Sequence, residues 1–257
     1  MKNELDRFIS FINNADGEVH FLNPDNSNVC RIVESLKHLQ PFERPDMYAK
    51  IGNHVMIIEH FEFDSNRNVR RKGSEGKAEL AVFERMADNL QATFEVAKVS
   101  SELKSNHSSM HYIENALRGF QDHCSNIPAY KQHLRGDNII DNASTIETGF
   151  FIEDTTILGN IYQKHPDSWE PSITPLFLPY CKPFLDAFER AKDVDLIFSG
   201  SYAISKYHLW FMDRASIERH RENQIEVEDI EILNFQPQAM AYKVLVDNEK
   251  NEHELKK

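Results

Sequence analysis

The sequence predicts a mixed α/β fold in a single domain, and three patterns predict it. Apolar residues at helical spacing, as in Val29, Ile32, Val33, Leu36 and Leu39, alternate along the chain with short runs of alternating polarity. Two apolar runs, 46–51 and 54–63, flank a two-residue Gly52-Asn53 turn, the pattern of a β-hairpin. The chain has 257 residues and 17 Phe, enough length and aromatic volume for one full core.

The elements follow in order. Residues 3–12 read as a short helix and 17–22 as a first strand. Asn23-Pro24-Asp25-Asn26 is a turn into the helix that carries Val29 to Leu39. The hairpin comes next, then a polar, basic loop over 64–77. Leu80, Phe83, Met86, Ala87, Leu90, Phe94 and Ala97 form the stripe of a long helix, and Met110, Ile113, Leu117, Phe120 and Cys124 that of another. Short strands are expected at 149–153 and 156–162, around Asp154-Thr155. Residues 166–183 hold five of the ten prolines and read as an ordered loop. A helix at 184–191, strands at 195–198 and 207–212, and a last pair at 230–235 and 241–246 complete the pass. The nucleus would span about 17–105 plus strands within 145–246, with a charged tail over 247–257.

Composition removes several classes of function. No apolar run approaches the roughly 20 residues that span a bilayer, and the acidic N-terminus lacks a signal-peptide stretch. Cys30, Cys124 and Cys181 are odd in number and far apart, which points to free thiols in a reducing, cytoplasmic compartment. No CxxC, P-loop or Gly-x-Gly-x-x-Gly is present, so neither a zinc knuckle nor a nucleotide cofactor is expected. The net charge of −12 opposes generic nucleic-acid binding, although a local basic patch can still hold a phosphate backbone.

The hairpin carries the chemistry. With Gly52 and Asn53 as the turn, Ile51 pairs with His54, and Asp46 falls opposite Glu59. Directly opposed residues have Cβ atoms about 4.5–5.5 Å apart, and like charges there repel. A divalent cation between the two carboxylates would resolve this, since Mg²⁺ takes oxygen ligands and is often held by one or two carboxylates plus water and phosphate. Pro45 starting a solvated strand end, with Glu59 facing water, is the plainer reading. Both faces of the hairpin are apolar, which predicts a central position in a sheet covered by helices.

A helix, then Pro45-Asp46, then a hairpin into Ile57-Ile58-Glu59 resembles the PD-(D/E)xK nuclease superfamily, over roughly residues 27–75. The resemblance implies a restriction-endonuclease-like fold, a central mixed sheet flanked by helices, here with a long helical insertion and C-terminal β additions. It also implies hydrolysis of phosphodiester bonds in nucleic acid with Mg²⁺ or Mn²⁺ held by Asp46 and Glu59. Glu34, on the preceding helix, would assist as a further acid or would be an ordinary exposed helix residue. The superfamily places a Lys two residues after the second acid, and here that position holds Phe61. Lys72 or Arg44 would supply the missing cation, Arg44 by lying opposite Phe61 if pairing continues past Pro45. Arg67, Arg70, Arg71, Lys72 and Lys77 form the densest basic cluster of the chain, and Arg70, Arg71, Lys77 and Arg44 would grip the substrate backbone. The rival expectation is an inactive nucleic-acid or protein binding module on the same fold, favoured by Phe61 and the net acidity.

The remaining signals are weaker. His107 and His111 have i, i+4 spacing but no Glu in the protease pattern, and read as a polar helix start. Ser199-Gly200-Ser201 lacks the Gly-x-Ser-x-Gly frame and reads as a turn. Glu62 and Asp64 read as solvent-facing, and Glu153-Asp154 is an acid pair at a strand end with no stated partner.

Overall fold

In the computed structural model, residues 18–21, 26–65, 108–156, 159–163, 178–203 and 206–234 are described. Their strands in chain order are β1 (Glu18–Phe21), β2 (Gln40–Pro41), β3 (Met47–Ile51), β4 (His54–Phe63), β5 (Thr145–Asp154), β6 (Gly159–Gln163), β7 (Leu196–Ala203), β8 (Lys206–Asp213) and β9 (Ile230–Asn234). The helices are α1 (Asn26–Leu36), α2 (Ser109–Gly136), α3 (Lys182–Arg190) and α4 (Ile217–Arg221). Seven strands form one mixed sheet in the order β1-β8-β7-β5-β4-β3-β2, while β6 and β9 pair apart from it. Within it β4, β5 and β7 run parallel to one another, and the hairpins β3–β4 and β7–β8 are antiparallel.

The hairpin has the register its turn dictates, with Ile51 opposite His54 and Met47 opposite Ile58. Gly52 takes φ 59°, a conformation with no steric cost only for glycine. β4 has 10 residues and β3 only five, so β4 outruns its hairpin partner and is instead paired along its whole length with β5.

Alternation along β4 then builds two cores. Val55, Ile57, Phe61 and Phe63 point to one face, where Tyr112, Phe120 and Ile127 of α2 and Phe184 and Phe188 of α3 cover them. Met56 and Ile58 point to the other, against Ile32 and Leu36 of α1. Each such side chain contributes about 1.5–3 kcal/mol when taken from water, which keeps the sheet between its helices. Arg31 ties α1 to the sheet through a bidentate contact with Glu147, at 2.6 and 2.7 Å. Arg214 closes the C-terminal end of α3, donating to the carbonyls of Phe188, Glu189, Ala191 and Val194 with its guanidinium over the Phe188 ring. Ser108 caps α2, accepting from the His111 amide at 3.1 Å, and its hydroxyl lies 2.7 Å from His111 Nδ1. His111 therefore serves the start of the helix, as expected; His107 lies outside the described residues.

Several expected boundaries move. Ser199-Gly200-Ser201 is no turn but the middle of β7, paired with Trp210, Leu209 and His208. Small residues there sit in a strand with neighbours on both sides, and the ladder outweighs their turn preference. Of the expected pair 230–235 and 241–246, the first is β9, which pairs with β6, antiparallel from Gly159–Asn234 to Gln163–Ile230. Of the proline-rich run, Leu178–Tyr180 forms a 3₁₀ turn and Pro183 enters the first turn of α3. The helices expected at 3–12 and through Leu80–Ala97, the basic loop from 66, and 241–246 lie outside the described residues. No helix among the described residues is long and apolar enough to cross a membrane.

Candidate functional site

Asp46 and Glu59 meet where β3 begins. The ladder stops at Met47–Ile58, and side chains take over its hydrogen bonds. The Asp46 amide donates to Glu59 Oε2 at 3.2 Å, and the His60 amide donates to Asp46 Oδ2 at 2.8 Å. Each carboxylate thus caps a backbone N–H of the opposing strand, a charge-assisted arrangement that offsets part of their repulsion.

From the facing helix, Tyr130 donates to Glu59 Oε1 at 2.7 Å, and His123 Nδ1 lies 3.1 Å from the same oxygen. An ionised Glu59 only accepts, and Nδ1 is the ring nitrogen of His123 that can donate to it. The imidazole stacks on Phe61, with ring centres 4.8 Å apart and 10° between planes. Glu59 and Tyr130 are buried, whereas Asp46 and His123 are half-buried, so the group opens to solvent through these two. Burial first, and then the Glu59 carboxylate, push the Tyr130 phenol far above its usual range. The hydroxyl remains a donor across the whole physiological range.

The other expected residues fall elsewhere. Phe42 donates its amide to the Asp46 carbonyl at 2.8 Å, turning the chain back into β2. Pairing therefore ends before Pro45, and Arg44 does not lie opposite Phe61. It is exposed and lines a cleft of about 670 Å³ with Phe42, Gln132 and His133. Glu34 is exposed on α1 and pairs with Lys37 at 2.8 Å and His38 at 3.4 Å. Its carboxyl is held below the usual range by Lys37, the pattern of a helix-surface ion pair. Arg67, Arg70, Arg71, Lys72 and Lys77 lie outside the described residues. Phe61 is a core residue, packed so closely on α2 that a Cβ at Gly119 would come within 2.8 Å of its ring.

A second group occupies the other face of β4. His60 Nε2 lies 3.2 Å from Glu153 Oε2, and Glu62 sits directly across the parallel ladder from Glu153. One donor atom from each of His60, Glu62 and Glu153 lies within 4.8 Å of the others, so these residues could hold a metal ion. Glu62 is exposed as expected, but Glu153 is buried and no longer without a partner. Next to it, burial pushes the Asp154 carboxyl up to about 6, against the lowering effect of Thr156.

Sequence reasoning missed His123, Tyr130, His60 and Glu153 as site members. His60 was legible as facing away from Glu59, by strand alternation. The α2 residues lie more than 60 positions from Glu59 and carry no motif, so only packing brings them in. Comparison of the chain with protein-family models, with curated proteins and with solved structures finds no match.

Proposed function

We propose that this protein hydrolyses phosphodiester bonds in nucleic acid in a metal-dependent reaction centred on Asp46, Glu59 and His123. One observation carries the reading: a basic side chain, His123, reaches to 3.1 Å from Glu59, stacked over Phe61, the residue in the superfamily's lysine position. The fold is compatible with it, since a helix precedes the Asp strand and the acid strand lies central in a mixed sheet between helices.

The two carboxylates fit a hard divalent ion such as Mg²⁺ or Mn²⁺. Glu59 Oε2 accepts one hydrogen bond and keeps a second lone pair. The bonds from Tyr130 and His123 fix the carboxylate's orientation, as outer-shell partners of metal-binding carboxylates do. When bound there, the ion supplies a water of lowered pKa and neutralises phosphate charge. His123 stands beside the pair, within reach of the place where negative charge develops on a phosphate held there. Asp46 and Glu59 hold the end of the hairpin rigid, so the imidazole is placed without further ordering.

The test is single-turnover cleavage of labelled DNA and RNA oligonucleotides with Mg²⁺ or Mn²⁺. Asp46→Asn and His123→Ala should each slow cleavage by about 10²-fold or more, in line with the loss of a charge-stabilising group. Full activity in both variants would remove this group from the reaction.

A second reading, a binding module without catalysis, is favoured by the burial of Phe61 between Gly119 and His123. An ammonium group placed there would be buried without water. On this reading the wild type is inert in the same assay and still retains the oligonucleotide.

A further inference from the structure

We propose that His60, Glu62 and Glu153 form a second cation site that prefers Zn²⁺ over Mg²⁺ and Mn²⁺ and clamps the ends of β4 and β5. The site is separate from the hairpin pair, and the proposal does not depend on the hydrolysis proposed above. Residues 59–62 alternate across the strand, so Glu59 and Phe61 face α2 while His60 and Glu62 face the other way.

The donor set is mixed. His60 offers an imidazole nitrogen, and Glu62 and Glu153 offer carboxylate oxygens, with all three atoms within 4.8 Å of one another. Hard ions such as Mg²⁺ and Ca²⁺ take oxygen ligands, whereas imidazole suits zinc, copper, iron and nickel. The nitrogen therefore sets the selectivity.

The site is also built before any ion arrives. The His60 and Glu153 side chains are only 5% and 4% exposed, so both are fixed inside the protein. The His60 ring is stacked on Phe151, with ring centres 4.9 Å apart, which holds Nε2 toward Glu153. Glu62 is exposed and completes the set from the solvent side, where an ion can enter.

Glu62 and Glu153 are direct neighbours on adjacent parallel strands, and like charges so placed repel. A divalent ion held between them offsets that repulsion. The position suits binding as well. β4, β5 and β7 run parallel, the cluster lies at their C-terminal ends, and ligands of open α/β sheets bind there. The residue beside Glu153 on β7 is Gly200, which brings no side chain to that flank.

The experiment uses the full chain after treatment with a chelator. Zn²⁺, Mn²⁺ and Mg²⁺ are titrated separately by calorimetry, with the His60 ring signals followed by NMR. We expect Zn²⁺ to bind more tightly than Mg²⁺ or Mn²⁺ and to shift the His60 signals. His60→Gln and Glu153→Gln should each weaken Zn²⁺ binding at least about 10-fold, the scale on which even outer-shell losses act. Glu62→Gln, at an exposed position, gives the same loss without risk to the core. Zn²⁺ binding that is absent, that Mg²⁺ or Mn²⁺ matches, or that all three variants keep overturns the proposal. So does binding lost in Asp46→Asn but kept in His60→Gln, which would assign the ion to the hairpin. A His60 that only forms a proton-mediated pair with Glu153 is recognised by ring signals that respond to pH and not to Zn²⁺.

Discussion

At the scale of single residues, the buried side-chain polar groups among the described residues are matched to partners, and the exception among them has a consequence. Glu59 is buried but receives three donors, from Asp46, Tyr130 and His123. His220 is different: it is buried, its ring lies edge-on to Tyr180, and its Nε2 has no hydrogen-bond partner. Burial, with help from Arg219, holds its pKa below the ordinary 6.5. The unfolded chain therefore takes up this proton before the folded one does. Stability is complete above about pH 6.5 and falls as pH drops below it. Urea unfolding at pH 7.5 and 6.2 should show this loss, and His220→Gln should flatten it. Asp154, with its carboxyl pushed up to about 6, drives stability the opposite way over part of the same range, and the variant, which keeps Asp154, isolates the share of His220. Equal slopes in the wild type and the variant would show that the His220 environment does not penalise the charged ring.

At the scale of elements, the contact between α2 and β4 is the tightest joint of the site. Gly119 faces Phe61, and a Cβ there would meet the ring at 2.8 and 2.9 Å. Replacing a helix-interior Gly by Ala normally favours the helix by about 0.8–1 kcal/mol. Here crowding of about 1–3 kcal/mol opposes that gain. Phe61 is also stacked on His123 and cannot move cheaply. Gly119→Ala should lower Tm in a thermal melt, and an unchanged or raised Tm would mean that the ring finds another place. The hairpin itself was legible in the sequence, because a two-residue turn fixes register and alternation fixes faces. The parallel contacts were not. No turn links β4 to β5, so nothing local shows that Glu62 meets Glu153. The small residues of β7 read as a break, and only their pairing with β8 makes them strand. α2 was expected from Met110 to Cys124 and continues to Gly136 through Pro128. A proline normally ends such a pattern, and the packing of Ile127, Tyr130 and Leu134 holds the last turns in place.

At the scale of the molecule, charge sets the terms for any nucleic-acid partner. The chain carries −12 overall, so attraction to phosphate must be local. The sequence places its basic cluster from Arg67 to Lys77. Binding through it should weaken steeply with salt, by roughly 0.9 in log–log slope for each duplex phosphate neutralised. Changing Arg70, Arg71 and Lys72 together to Ala should weaken binding and flatten that slope, as measured by fluorescence anisotropy from low to high salt. An unchanged slope would send the search for the interface elsewhere. The coarse class, a mixed sheet between helices, was predictable because it needs only the alternation of periods along the chain. The sheet order was not, because it depends on which distant strands meet.

The alternation of β4 makes the two groups hostages to the same count. Glu59, His60, Phe61 and Glu62 divide between the faces only because each successive residue points the opposite way. Inserting one residue between Asn53 and Glu59 would transpose the whole set: Glu59 and Phe61 would turn toward α1, and His60 and Glu62 would enter the aromatic core beneath α2. Neither group could then be kept at the expense of the other. Even if they serve separate chemistries, the strand binds them to a common fate under insertion or deletion, while substitutions can still alter each alone.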